Sequence, residues 1–240
     1  MKNFTANMAI VVSFVLAFAL LSGTVIAQDV KGNGNLQTQT RKVSDFKGIK
    51  VGGGFSVEIK QGKQQELRIE AEGNLMDNIV SEVKNGVLHL YTKGNINSRK
   101  GMKAYITVNE LEKVDISGGV KVVGLSTFKA NTFELDMSGG SNVTLAIDAR
   151  KLDVDMSGGS KVVLKGRADE MDMDMSGASN VDTQELKAKK VKINASGASK
   201  VKVFASETLQ INASGTSNIS YAGSPKIEAE TTAASRISKL

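Results

Sequence analysis

The sequence has no cysteine and no tryptophan, and its 240 residues include a single proline, a single histidine, three tyrosines and eight phenylalanines. Each absence removes a class of explanation. Without cysteine there is neither a disulfide framework nor a site for a lipid anchor, so packing alone must stabilise the fold. Without tryptophan, and with so few other rings, platforms for stacking sugars are scarce. His89 is the only imidazole, so a Ser-His-Asp site would need that one residue beside an activated serine. Long runs of one charge are also missing. The 31 basic residues are interleaved with 25 acidic ones, and the net charge of +6 points to solubility rather than to a nucleic-acid partner.

What is present is 24 glycines, many valines and isoleucines, and Ser-Gly clusters at regular intervals. That is the composition of short strands joined by tight turns, an all-β chain. Residues 1–27 have the three parts of a secretory signal: Lys2, an apolar run from Met8 to Leu21, and small residues with Val25 and Ala27 before a cut. The run is shorter than the roughly 20 residues a spanning helix needs. The expectation is an exported chain beginning at Gln28, periplasmic, secreted or at the cell surface, with no integral membrane segment after cleavage. Residues 28–45, polar and rich in Gly and Asn, read as a flexible lead-in.

Comparing the chain with itself decides the fold. Ser117-Gly118-Gly119, Ser138-Gly139-Gly140, Ser157-Gly158-Gly159, Ser176-Gly177-Ala178, Ser196-Gly197-Ala198 and Ser214-Gly215-Thr216 recur at intervals of about 19 residues, with an early copy at Gly52-Gly53-Gly54 and a degenerate one at Thr232-Ala233-Ala234. Before each corner apolar and polar residues alternate, as in Leu152, Val154 and Met156, and the alternation resumes after it, as in Val162 and Leu164. Period two is a half-buried strand. One such unit cannot bury its apolar face alone, whereas stacked copies bury a continuous column. Stacking also explains why Met137, Met156 and Met175 occupy equivalent places. An antiparallel sandwich would supply short strands and turns without this position-by-position identity. The expectation is a single β-solenoid over residues 46–240, with regular repeats from 112 and irregular opening rungs over 46–111. In those rungs strands are expected at 48–60, 65–71, 87–91 and 103–108, and a short helix within 74–82.

Three repeated polar features are candidate sites. Glu134 and Asp136, Asp153 and Asp155, and Asp172 and Asp174 would crowd one outward face if the rungs are in register. A divalent cation held by oxygen ligands could relieve that crowding, with Asp136, Asp153, Asp155, Asp172 and Asp174 as candidate ligands, as could solvent, salt and nearby lysines. After the corner a second series reads Lys121, Asn142, Lys161, Asn180, Lys200, Asn218 and Arg236. It separates like charges by about two rung spacings, roughly 9.6 Å. Two serine series flank the corners, and their repetition points to corner hydrogen bonding rather than to a nucleophile. No catalytic residue and no cofactor is expected from these patterns.

The segment Phe46 to Gly62, the stretches Asn74 to Val80 and Glu82 to Leu88, and the Ser-Gly-Gly repeats together resemble the putative auto-transporter adhesin, head GIN domain family, formerly a domain of unknown function. The resemblance implies a right-handed parallel β-helix-like solenoid, adhesin-like and exported, with a glycan or an envelope or surface protein as partner. It carries no established catalytic residues. The chain lacks a recognisable outer-membrane barrel segment, so self-transport is not expected. A polysaccharide-active enzyme using the acidic face is the alternative, and the open ends of a solenoid allow a homo-oligomer.

Overall fold

The computed structural model describes residues 29–232 and 234–240. The expected signal and its cleavage site at Gln28 lie outside the described residues, and so does Ala233 of the degenerate last repeat.

From Gly48 onward the chain winds as a parallel β-solenoid of about seven turns at about 19-residue spacing. Lys121–Gly139, Asn142–Gly158, Lys161–Gly177, Asn180–Gly197 and Lys200–Gly215 are continuous strands that bend around the coil, each paired in parallel with the next. The register is the one the repeats demand: Met137 pairs with Met156, Met156 with Met175, and Ser157 with Ser176. A sandwich is thereby excluded. The inward positions form apolar columns, with Leu135, Val154, Met173, Ile193 and Ile211 at most 2% exposed.

Two local devices make the corner. Gly158 has φ +104, and a Cβ there would stand 2.7 Å from the Gly139 carbonyl oxygen of the rung before. A side chain would meet both a disfavoured backbone conformation and a backbone clash. Next to it the second serine series turns inward. Ser160 is buried and donates its hydroxyl to the Gly139 carbonyl at 3.0 Å, as Ser141 does to Gly118 at 2.8 Å and Ser179 to Gly158 at 3.3 Å. Each corner is thus stapled to the one beneath it, the hydroxyl joining the backbone N–H of Gly159 on the Gly139 carbonyl and that of Ala178 on the Gly158 carbonyl.

The first part of the chain departs from simple coiling. Gly48–Gly52 and Phe55–Gln61 make a rung beneath Lys113–Gly118 and Lys121–Gly139, and Val87–Thr92 and Met102–Val108 add another in parallel. Glu66–Glu72 and Ile79–Lys84 then run antiparallel to their neighbours and close over that end. The hairpin between Ile79–Lys84 and Val87–Thr92 turns at Asn85 and Gly86, both at positive φ. A 3-10 helix occupies Gly73–Asn78 where a short helix was expected, and strand resumes at Ile79.

Of the lead-in expected over 28–45, the described residues 29–45 are not the flexible segment their composition suggests. Val30–Lys31 pairs with Ile96–Asn97, and Leu36–Arg41 pairs antiparallel with Leu67–Glu72. Arg41 donates to the carbonyl oxygens of Ile79 at 2.6 Å and Met76 at 3.0 Å. Backbone pairing and polar ties, rather than apolar burial, order this stretch. A polar composition therefore hides it.

Candidate functional site

The outward residues just before the corner stack into a polar column. Its register runs from His89 to Lys50, Asp115, Asp136, Asp155, Asp174, Asn194 and Asn212. Parallel in-register stacking fixes this order, because each rung places the same position one strand spacing, about 4.8 Å, above the last. The outer serine series, Ser138, Ser157, Ser176, Ser196 and Ser214, lies two residues further along each strand. Between the two rows runs a groove of about 690 Å³, walled by the carboxylates, amides and hydroxyls, with Met137, Met156 and Met175 in its floor.

The expected crowding of acids is real, and the fold answers most of it with its own cations. Lys50 reaches Asp115 at 2.7 Å. Lys113 sits between Glu134 and Asp136, 2.8 Å from each, and these two contacts hold its ammonium pKa well above the usual lysine value. Lys151 bridges Asp153 at 2.7 Å and Asp172 at 3.6 Å. Toward the other end amides take over: Asn194 donates to Asp174 at 2.6 Å, and Asn212 to Asn194 at 2.9 Å. Among the described residues no cation or amide pairs with Asp155. Partial burial, and then the charges of Asp136, Asp174 and Asp153, raise its pKa above the ordinary aspartate value.

The five aspartates proposed as cation ligands therefore share one face in two adjacent columns, Asp136, Asp155 and Asp174 in one, Asp153 and Asp172 in the other. They are not gathered around a point. Among the described residues no group of three or more His, Asp or Glu side chains is placed to hold a metal ion. Lysine ammonium groups, Lys113 and Lys151, stand where a cation was invoked.

His89, distant in sequence from the serines, joins the aspartate column, with Glu82 opposite it on one side and Lys50 between it and Asp115 on the other. The second series alternates as expected, Lys121 on Asn142, Asn142 on Lys161, and so on to Arg236.

The sequence model of a family described as "Putative auto-transporter adhesin, head GIN domain" matches residues 45–225. No curated protein matches the chain. Among solved structures, the fold is similar to that of a putative adhesin from Bacteroides fragilis, at 23% identity and a TM-score of 0.81, covering 88% of this chain and 100% of that one. It is also similar to a putative lipid binding protein from Parabacteroides distasonis, at 22% identity and a TM-score of 0.75, covering 89% of this chain and 100% of that one. A putative adhesin from Parabacteroides merdae matches at 18% identity and a TM-score of 0.66, with 89% of this chain and 100% of that one covered. Identities this low speak for a shared fold.

Proposed function

We propose that this chain, which belongs to the putative auto-transporter adhesin, head GIN domain family, is a non-catalytic binding module of the cell envelope or surface that takes an extended polar macromolecule along its groove. The observation that carries the reading is the column from His89 to Asn212. Along the solenoid axis it stacks four aspartates and then two asparagines beyond Lys50, beside a row of hydroxyls that recurs in successive rungs. A surface that repeats every rung suits a chain-like partner offering the same group at regular intervals, such as a glycan. Catalysis instead requires one distinctive cluster.

The signal-like residues 1–27 and the family together support export, to the periplasm or beyond. A solved relative named a putative lipid binding protein raises an acyl ligand. Here the solenoid interior is filled by buried side-chain columns, and the groove sets carboxylates, amides and hydroxyls around an apolar methionine floor, which suits a ligand with both polar groups and an apolar face, such as a glycan.

The test is binding of the purified chain to arrayed glycans and to purified envelope polysaccharide. Filling the groove with Ser157→Tyr should abolish retention, whereas Asp155→Asn or Asp174→Asn should only weaken it, because neighbouring rungs offer the same contacts. Cleavage of any of these polymers by the wild type, lost in Asp155→Asn, would replace this reading with a polysaccharide-active enzyme.

A further inference from the structure

The two ends of the solenoid are finished differently. At the first end the antiparallel strands Glu66–Glu72 and Ile79–Lys84 close over the rungs. At the other end Lys226–Thr231 lies on Thr208–Ala213, and Arg236–Lys239 on Asn218–Tyr221, with no described strand on their outer side. The apolar columns are cut in cross-section there. Leu209 is 1% exposed beneath its neighbour, whereas Ile227, directly above it in register, is 38% exposed. The strand Lys226–Thr231 therefore offers unpaired backbone groups beside the open end of a core.

The charges on this edge are of mixed sign and alternate with inward apolar residues: Lys226, Ile227, Glu228, Ala229, Glu230. An edge of one sign would repel its own copy, which is how many proteins protect such strands. This one carries both signs: Lys226 pairs with Glu228 of its own chain at 2.8 Å, a pair that a second copy can exchange for the same one across the seam. If a second copy approaches end to end about a two-fold axis through Ile227, the facing strands run antiparallel. Lys226 of each chain then lies opposite Glu228 of the other, and the two Ile227 side chains meet where the core column ends. Antiparallel pairing forms its hydrogen bonds in that arrangement, and cross-strand pairs of opposite charge stabilise it.

We infer that the exposed strand Lys226–Thr231 is a homodimer interface, joining two solenoids tail to tail by antiparallel pairing centred on Ile227. The symmetry is closed, because the same patch serves both chains. Two grooves would then lie along one rod, doubling the contacts available to an extended ligand. The inference does not depend on what the groove binds.

The test is sedimentation velocity of the purified chain across the micromolar range, with circular dichroism confirming the fold of each variant. A concentration-dependent dimer is expected, which Ile227→Asp converts to monomer. Lys226→Glu should weaken the dimer by about tenfold or more, and the exchange Lys226→Glu with Glu228→Lys should restore it. Because the chain has no cysteine, Ile227→Cys provides a separate readout: mild oxidation should link two chains covalently. A monomer at every concentration, assembly past the dimer into filaments, or a dimer indifferent to Ile227→Asp and not linked through Ile227→Cys would each overturn the inference.

Discussion

Ser98 donates its hydroxyl to the carboxylate of Glu72 at 2.7 Å, and the same carboxylate accepts the backbone N–H groups of Gly34 at 2.7 Å and Arg99 at 2.8 Å. Glu72 is wholly buried. One side chain thus ties the turn at Gly34, its own strand Glu66–Glu72 and the loop at 98–100 into a single closure over the solenoid's first end.

Replacing Glu72 with alanine should release that closure while leaving the regular rungs intact. Hydrogen-exchange protection at Gly34 and Arg99 should fall, and protection across 142–215 should not. The hydrogen bonds, that of Ser98 foremost, hold the Glu72 carboxyl below its ordinary pKa. Its folded-state pKa therefore lies under the unfolded one. The stabilisation is complete above the unfolded value and is lost as pH falls through the folded value. Urea midpoints followed from pH 7 downward should drop in the wild type, and Glu72→Gln should show less of that drop.

Gly158→Val should destabilise the solenoid far more than Lys161→Val. The first puts a β-branched residue at φ +104 with its Cβ 2.7 Å from the Gly139 carbonyl, a cost of about 1–3 kcal/mol before the clash is counted. The second changes an exposed position and should stay within about 0.5 kcal/mol. Urea denaturation of the two variants measures the difference.

The two serine rows should separate cleanly under alanine substitution. Ser160 is buried and hydrogen-bonded to Gly139, so Ser160→Ala should cost about 1 kcal/mol. Ser157 is exposed in the groove, and Ser157→Ala should leave stability unchanged while affecting ligand retention.

Asp155→Asn should stabilise the protein at neutral pH and low salt by up to about 1 kcal/mol, the scale of a like-charge cross-strand contact. The sign follows from the raised pKa of Asp155. In the wild type the penalty develops as pH rises from the unfolded aspartate value through the folded one, and below both it is absent. The gain from Asn should accordingly vanish in acid and shrink with added salt. Asn194 and Asn212 already occupy this column two and three rungs further on.

Lys113→Gln should act in the opposite direction, because it strips Glu134 and Asp136 of their shared cation beside Asp155. A loss of about 1 kcal/mol at low salt, diminishing as ionic strength rises, is the expected result in thermal or chemical denaturation.

Much of this molecule was written in its repeats. The inward columns, the glycine corners, the Lys-Asn alternation and the acidic face all follow from period-two alternation and from the backbone conformation each corner needs. Such local demands recur in every rung and can be counted along the chain. What counting could not supply was the pairing of charges across columns, such as Lys113 with Glu134 and Asp136. That depends on which rotamers meet between rungs rather than on spacing alone.

The sequence by itself determined the parallel stack and the faces of its regular rungs, because in-register repetition leaves one arrangement that buries every apolar column. Only the tertiary structure decided how the first end is closed, why the polar lead-in is ordered, and that His89 joins the aspartate column. Those outcomes depend on segments that leave the stack and rejoin it, so their neighbours are set by where the chain returns in space.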